Sequence, residues 1–335
     1  MSKSQFIEDM TEEYYPTANE GTRELIEEYL DNATDVTYMS LNQYKSALRI
    51  FAAYINRYCG NKHITEVTSL DFLKYQNWLL KQGLFTAAIR AKRSAVSNLN
   101  NNIILFHGDE YPTFRNFITK AVKIPQTGKR NVKEPITDFE YDELCKYLEE
   151  KQSWQKLAYV KFSYISGARR NEVRFLLKEV VDYKPISKMI RVTDDDGKEI
   201  RVPIKKYKTN LIKCKGSKED PMRRLSFVED TLDSFNQWLE VRGKDDCPYM
   251  FITYRQGVAY QVAENTFNQW CEEFSKVLGR RIYPHLFRSS RATSLFLSGK
   301  SLQSIQSLLG HKSIETTKIY IVKNDEDEED EIFAE

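Results

Sequence analysis

The sequence predicts a mostly α-helical protein of two domains, with one small antiparallel β-sheet in the second domain. The length of 335 residues corresponds to two domains at roughly 100–200 residues each. Apolar residues recur at helical spacing along most of the chain. Between residues 188 and 228 the pattern changes to short runs rich in β-branched residues, which polar turns separate.

Composition excludes several classes of protein. The hydrophobic fraction of 41%, the charged fraction of 29% and the low counts of 13 Gly and 9 Pro exclude collagen-like and low-complexity chains. No apolar run approaches the roughly 18 residues that span a bilayer, and the acidic first segment is unlike a signal peptide. We therefore expect a cytoplasmic protein without membrane contact. The five cysteines form no Cys-x-x-Cys pair, which predicts reduced thiols and no metal site.

The small net charge of +2 hides a strong asymmetry along the chain. Residues 1–35 carry 2 bases and 10 acids, and residues 325–335 carry 8 acids and no base. Residues 36–324 carry 48 bases and 30 acids, a net charge of +18. Such a basic body favours a polyanionic partner such as nucleic acid. An even scatter of lysines over a protein surface gives the same total, so charge alone leaves the partner open.

The first domain is predicted over residues 21–124, after an acidic segment over residues 1–20. Thr68 and Asp71 have the spacing of a capping box, which indicates the start of a helix. Gly60 and Gly83 indicate helix ends, because glycine readily adopts the left-handed conformation found there. The predicted helical stretches are Thr22–Leu30, Leu41–Gly60, Thr68–Gly83 and Thr86–Phe106.

The fourth of these helices carries bases and amides on the face opposite its apolar residues. Arg90, Arg93, Ser97 and either Asn100 or Asn101 form this stripe at helical spacing. Such side chains suit phosphates and the edges of bases, so Arg90 and Arg93 are candidate DNA-binding residues. A solvated helix face gives the same pattern.

A basic linker is predicted over residues 125–136, which include two prolines, a glycine and three bases before the last proline. Its Lys129 and Arg130 are further candidate DNA-binding residues. The second domain follows over residues 137–323, and an acidic tail follows over residues 324–335. For this tail we weigh a solvated segment against a peg, formed by Ile332 and Phe333, that docks on a neighbouring protomer.

The second domain is predicted to combine helices with the small sheet. Thr137 and Glu140 repeat the capping-box spacing, and Ser166-Gly167 indicates the end of the next helix. The predicted strands are Lys188–Thr193, Ile200–Ile204, Asn210–Cys214 and Arg224–Val228. The predicted helices after Thr137 are Trp154–Ile165, Thr231–Val241, Glu264–Leu278, Leu286–Leu297 and Ile314–Ile321.

The second domain also holds an ordered set of side chains suited to phosphoryl transfer. His285 and Arg288 are three residues apart, so they share one face of a helix. His311 precedes Tyr320 by nine residues, and Arg169 follows a helix-ending glycine. Arginines can bind the non-bridging oxygens of a phosphodiester, imidazoles can move protons, and a tyrosine hydroxyl can attack phosphorus. These residue types therefore suit cleavage of a phosphodiester, although each of them taken alone is more often structural.

In the order Arg, Lys, His-x-x-Arg, Gly-His and Tyr, the sequence resembles the tyrosine recombinase family, which includes phage integrases, Cre-like enzymes and Xer proteins. The resemblance covers residues 21–323. Glu172 matches the accessory acid of the family, and Lys215 in Cys-Lys-Gly-Ser-Lys matches its hairpin lysine. By this resemblance the candidate catalytic residues are Arg169, Glu172, Lys215, His285, Arg288, His311 and Tyr320, the last as nucleophile.

The resemblance implies a fold, a reaction and partners. The fold is a helical SAM-like core-binding domain followed by the catalytic domain of a tyrosine recombinase. The reaction is site-specific recombination, in which the tyrosine forms a 3′-phosphotyrosyl link and frees a 5′-hydroxyl that attacks the partner duplex. Because the covalent link conserves the energy of the bond, no cofactor and no metal are expected. The partners are double-stranded DNA and further copies of the chain, as a tetramer on two DNA sites.

The sequence departs from the family pattern in places. Leu286 and Phe287 stand within the His-x-x-Arg motif where other residues are usual, and Ser289-Ser290 follows it. The segment 182–213 is longer than the minimal hairpin of the family, which predicts an extra pair of strands. The assignment of the catalytic lysine stays open, because further lysines lie near Lys215: Lys205, Lys206, Lys208, Lys213 and Lys218.

Two other functions remain as alternatives at this point. A non-catalytic DNA-binding protein, such as a phage repressor, can keep the recombinase fold without recombining. A type IB topoisomerase or a telomere resolvase uses similar chemistry, but the small size of the chain and the absence of large additions favour a recombinase.

Overall fold

A computed structural model describes residues 3–33, 38–126, 134–193, 199–214, 222–311 and 313–321. The chain forms two compact units, Met1–Arg130 and Asn131–Glu335. The prediction of a mostly helical protein with small antiparallel sheets is confirmed. None of the helices in the described ranges is both long and apolar enough to cross a membrane.

The first unit is a bundle of helices. The middle helix, α3, packs against α1, α2 and α5. The core between α3 and α4 is aromatic, since the ring centroid of Phe51 lies 4.8 Å from that of Tyr75 and 5.6 Å from that of Phe72. The helices are α1 (Lys3–Tyr14), α2 (Glu20–Asn32), α3 (Tyr38–Tyr58), α4 (Ser69–Lys81) and α5 (Thr86–Phe106).

The first helix was not predicted, because only the acidic character of this segment stands out in the sequence. Ile7 and Met10 are its buried apolar residues, and they are too few for a clear helical period. The predicted start of α4 is confirmed, since Thr68 and Asp71 cap it reciprocally with hydrogen bonds of 3.2 and 3.0 Å.

The second unit is built around helix α7, which packs against α6, α9 and α11. The buried residues of α7 are distributed around the helix and not along one face, as expected for a central helix. Its Tyr159 stacks on Phe267 with centroids 4.5 Å apart. The helices are α6 (Asp138–Glu150), α7 (Trp154–Ser166), α8 (Arg170–Arg174), α9 (Glu229–Arg242), α10 (Thr266–Val277), α11 (Pro284–Leu297), α12 (Leu302–Leu309) and α13 (Ile314–Lys318).

In the ranges that the structure describes, the second unit has three small antiparallel sheets where the sequence predicted one. The sheet β1-β2-β5 includes the extra strand pair, with Ile186 opposite Lys206. The other sheets are β3-β4 and β6-β7. The strands are β1 (Ile186–Thr193), β2 (Glu199–Lys208), β3 (Ile212–Lys213), β4 (Met222–Arg223), β5 (Ser226–Phe227), β6 (Ile252–Arg255) and β7 (Val258–Gln261).

The hairpin of β6 and β7 was not predicted, because its turn has an unusual sequence. Gln256 and Gly257 both have positive φ angles, of 49° and 77°, as a tight hairpin turn requires. Glutamine is not a residue that normally signals such a turn. Three of the large hydrophobic side chains of these strands are about half exposed, so the apolar residues of the sequence do not mark a buried face: Tyr254, Val258 and Tyr260.

Gly167 ends α7 at a point of close contact between helices. Its φ angle of 59° lies in the left-handed region, as the sequence predicted for this helix end. A Cβ atom at this position would lie 2.5 Å from Cδ2 of Leu309. A glycine is therefore needed for the end of α7 to lie directly against the end of α12.

Candidate active site

Arg288 lies on α11 and is fully buried. Its Nη1 donates to the carbonyl of Gly167 at 2.6 Å, and its Nη2 donates to the carbonyl of Leu309 at 2.7 Å. Burial, and next the nearby charge of Arg169, lowers the pKa of Arg288 to about 10. Carbonyls fix this guanidinium in place without neutralising it, and it remains charged at neutral pH.

Arg169 is held by the carboxylate of Glu172, which is almost completely buried. The Nη1 of Arg169 donates to Oε1 of Glu172 at 3.0 Å, and the main-chain N–H of Arg169 donates to Oε2 at 2.7 Å. Burial raises the pKa of Glu172, but hydrogen bonds and charge from Arg223 and Arg169 outweigh it and leave that pKa below its ordinary value. The carboxylate is therefore ionised and fixes the direction of Arg169.

Arg223 is the second cation on this carboxylate, and the sequence motif did not identify it. Its Nη2 and Nε donate to the two oxygens of Glu172 at 2.6 and 3.2 Å. No local signal in the sequence identifies this residue, and only the structure pairs Arg223 with the buried Ile212 across β3 and β4.

Three successive carbonyls at the end of α12 each accept from a different arginine. Leu308 accepts from Arg223 at 3.3 Å, Leu309 accepts from Arg288 at 2.7 Å, and Gly310 accepts from Arg169 at 3.5 Å. The last carbonyls of a helix lack partners within the helix and carry partial negative charge. The end of α12 thus brings three guanidiniums together.

His311 follows directly and is also buried. Its Nδ1 lies 2.9 Å from the hydroxyl of Thr317 on α13, while its Nε2 is buried with no hydrogen-bond partner in the described ranges. Burial, followed by the charges of Arg288 and Arg169, lowers the pKa of His311 to about 4. The imidazole is therefore neutral at pH 7, with one nitrogen left for a ligand.

Tyr320 lies next to both histidines. Its hydroxyl is 2.6 Å from Nε2 of His285, and its ring centroid is 4.7 Å from that of His311. The guanidinium carbon of Arg288 lies 5.4 Å from the centre of the same ring. Of the predicted catalytic residues, the structure brings six together: Arg169, Glu172, His285, Arg288, His311 and Tyr320.

Lys215 falls outside the described residues. Burial, and next the charge of the Glu172 carboxylate, raises the pKa of the thiol of Cys214, the last described residue before Lys215.

The candidate DNA-binding residues differ in their surroundings. Arg90 is exposed, and its guanidinium has no hydrogen bond to any described residue. The guanidinium of Arg93 donates to the carbonyls of Val122 and Thr119 at 2.6 and 3.0 Å. Asn100, from the same predicted stripe, is fully buried. Lys129 and Arg130 fall outside the described residues.

No group of three or more His, Cys, Asp or Glu side chains that could hold a metal ion occurs among the residues with described positions. The site described above contains two histidines and one carboxylate, and the carboxylate is bound to arginines.

A sequence model of the phage integrase family matches residues 134–327, which are more than half of the chain and include every residue of this site. The chain belongs to the phage integrase family. The prediction of a tyrosine-type site-specific recombinase is confirmed at this level, and the alternative of a non-catalytic DNA-binding protein is not favoured.

The similarity to two curated relatives extends over nearly the whole length of each protein. The SPbeta prophage-derived recombinase-like protein YomM of Bacillus subtilis (strain 168) is 28% identical over 335 residues, which cover 98% of this chain and 95% of the relative. The tyrosine recombinase XerA of Thermococcus onnurineus (strain NA1) is 23% identical over 304 residues, which cover 90% of this chain and 91% of the relative.

Two solved structures share the fold of the integrase. XerH site-specific recombinase bound to a palindromic difH substrate, in a post-cleavage complex, has a TM-score of 0.67 at 19% identity and covers 92% of this chain and 84% of its own. A lambda integrase tetramer bound to a Holliday junction has a TM-score of 0.58 at 18% identity and covers 89% of this chain and 76% of its own.

Proposed function

We propose that this integrase cuts and rejoins duplex DNA through a covalent link between Tyr320 and a 3′-phosphate. The observation that carries the proposal is the position of the Tyr320 hydroxyl, 2.6 Å from His285 and on the ring that adjoins Arg288 and His311. A nucleophile next to a base and beside fixed cations is the arrangement that attack on a phosphodiester needs.

In the first step the Tyr320 oxygen forms a bond to phosphorus while the bond from phosphorus to the 5′ oxygen breaks. With its proton on Nδ1, His285 accepts the hydroxyl hydrogen of Tyr320 at Nε2. The leaving 5′ oxygen takes a proton from Lys215, a role that rests on the resemblance. The reverse reaction with a 5′-hydroxyl from the partner duplex reseals the strand.

Arg169, Arg288 and His311 are proposed to bind the non-bridging oxygens of the phosphodiester. The two guanidiniums are oriented by carbonyls and by Glu172. Because these groups are oriented before substrate binds, they stabilise the added charge of the transition state without reorganising. The unpartnered Nε2 of His311 offers one further hydrogen bond if Thr317 donates to its Nδ1.

Double-stranded DNA is the proposed partner, and the basic charge of residues 36–324 supports it. The lambda integrase with which this chain shares its fold is a tetramer on a Holliday junction. By analogy we propose a tetramer of this chain on two DNA sites, acting in the cytoplasm. DNA contacts by Arg90, Lys129 and Arg130 belong to the same proposal, whereas Arg93, predicted with them, donates to the carbonyls of Val122 and Thr119 and is left out of it.

A capture experiment tests this function without knowledge of the DNA site. The full chain is incubated with short duplexes of random sequence, the mixture is denatured in detergent, and DNA that stays on the protein is sequenced. Cleavage near a duplex end releases the short fragment that carries the 5′-hydroxyl. Because this fragment is lost, the strand is not resealed and the covalent link accumulates. We expect the DNA that stays on the parent protein to be enriched in one sequence. A duplex of this sequence is called the captured duplex below. An absence of retained DNA would contradict the proposal.

Two variants control the capture. Tyr320→Phe loses only the attacking oxygen, so it should retain no DNA after denaturation. Tyr260→Phe removes the same atom from an exposed tyrosine of β7 and should retain DNA as the parent does. Equal retention by Tyr320→Phe and the parent would remove Tyr320 as the nucleophile.

A further inference from the structure

Arg223 and Arg169 both donate hydrogen bonds to the carboxylate of Glu172. Arg223 gives two hydrogen bonds to the carboxylate, while the side chain of Arg169 gives one. A guanidinium has five N–H donors in a fixed plane, and a carboxylate could otherwise bind Arg169 through two of them. With Arg223 in place, Arg169 is oriented by Glu172 but keeps donors for another anion.

Arg223 also contacts the end of α12. Its Nη1 donates to the carbonyl of Leu308 at 3.3 Å. A Cβ atom at Gly310 would lie 2.4 Å from the same Nη1, so the guanidinium occupies the space that a side chain there would take. Residues 308–310 carry the carbonyls that orient the three arginines, and His311 follows them.

We infer that Arg223 is a positioning residue for the cleavage reaction, because it ties Glu172 to the end of α12 and so sets the direction of Arg169 and the place of His311. The inference rests on the proposed function, since it concerns the same site. Arg223 itself need not touch the DNA. Its position on β4 also ties this arrangement to the hairpin that leads to Lys215.

Loss of Arg223 has a consequence that depends on pH. Among the described residues, the charged and titratable groups that interact with Glu172 are Arg169, Arg223, Arg288 and Cys214. Burial raises the pKa of this carboxyl, and Arg223 gives the strongest opposing interaction. Without Arg223 the pKa rises, so Glu172 takes up a proton as the pH falls and no longer orients Arg169. Cleavage should then slow at low pH and recover at high pH.

The test is single-turnover cleavage of the captured duplex at saturating protein. A displacement of about 1 Å in a site can cost on the order of 100-fold in rate. For Arg223→Ala we expect cleavage slowed about 10–100-fold, with DNA affinity within about twofold and with a steeper loss of rate on acidification than the parent shows. In the Glu172→Gln background the same change should cost less, because both residues act through one contact.

The matched control is Arg224→Ala, which removes the same charge from the neighbouring residue. Its Nη1 donates to the carbonyl of Thr209 at 2.8 Å, and it makes no contact with Glu172. Arg224→Ala should keep the parental rate and pH profile at saturating protein. If Arg223→Ala fails to fold, as judged by circular dichroism, Arg223→Lys takes its place. Lysine keeps the charge but not the two parallel hydrogen bonds, so the rate should be intermediate.

The outcomes separate the two proposals. A parent that forms no covalent adduct overturns the proposed function and this inference with it. A parent that reacts, with Arg223 variants that match Arg224→Ala in rate and pH profile, overturns the inference alone. A loss of affinity in Arg223→Ala without a change in rate at saturation also overturns it, because this would assign Arg223 to binding DNA.

Discussion

Arg93 in the first unit and Arg288 in the second are both held by two main-chain carbonyls, and yet their surroundings differ. Arg93 donates to Val122 and Thr119, and it is partly exposed. Arg288 donates to Gly167 and Leu309, and it is fully buried. In both cases the bonds fix the guanidinium and leave its charge uncancelled.

The difference lies in what surrounds each guanidinium. Arg93 fastens the segment after α5 to the bundle, which explains its contacts as part of folding. Arg288 lies near two further arginines, Arg169 and Arg223. Both of these bind the same carboxylate, that of Glu172. Buried cations of like sign repel one another, so such a cluster is unfavourable unless an anion binds. The comparison separates a structural arginine from one that we propose binds a phosphate.

The largest effect that tests this comparison is expected for Arg288. Removal of one donor to a transition state costs about 100–1,000-fold in rate, so Arg288→Ala should slow single-turnover cleavage of the captured duplex by that factor. Arg93→Ala should leave this rate unchanged in folded protein. Cleavage by Arg288→Ala within about threefold of the parent would remove Arg288 from the site.

Arg93 should have the larger effect on folding. Arg93→Ala leaves the carbonyls of Val122 and Thr119 and the buried Gln76 without their donor. Val122 and Gln76 are buried, and loss of a partner for a buried polar group costs about 1–3 kcal/mol, so the free energy of unfolding should fall by this amount. Arg90→Ala, from the exposed side of the same helix, is the control for urea unfolding. Equal stability of both variants would contradict the structural role.

The smallest effect concerns salt. Arg90 is free to meet a phosphate, whereas the guanidinium of Arg93 already has partners. Each phosphate contact contributes about −0.9 to the slope of log K against log salt, so Arg90→Ala should flatten that slope by about one unit. Binding to the captured duplex at several salt concentrations measures this. A parental slope would place the exposed side of α5 away from the DNA.

Local signals in the sequence predicted a large part of this structure. The capping boxes at Thr68 and Thr137 depend on residues three apart, so they can be read directly from the chain. The same holds for Gly167 at the end of α7, and for the pair His285 and Arg288, three residues apart in the chain. The order of the remaining site residues came from the family resemblance.

Contacts between distant residues could not be predicted in this way. Arg223 lies 51 residues from Glu172, and nothing local distinguishes it from Arg224 beside it. Arg90 and Arg93 belong to one stripe of α5, but the segment that follows the helix covers only Arg93 with carbonyls. Tertiary packing decides these cases, and a helical period carries no information about it.

Peptide mapping of the captured complex shows whether Tyr320 carries the DNA. Cleavage with trypsin after Lys318 and Lys323 yields the peptide 319–323, in which Tyr320 is the only tyrosine. After nuclease digestion, this peptide should carry a nucleotide joined through a 3′-phosphate to the tyrosine oxygen, as mass spectrometry can show. A nucleotide on any other peptide, or a captured complex whose peptide 319–323 is unmodified, would contradict the assignment.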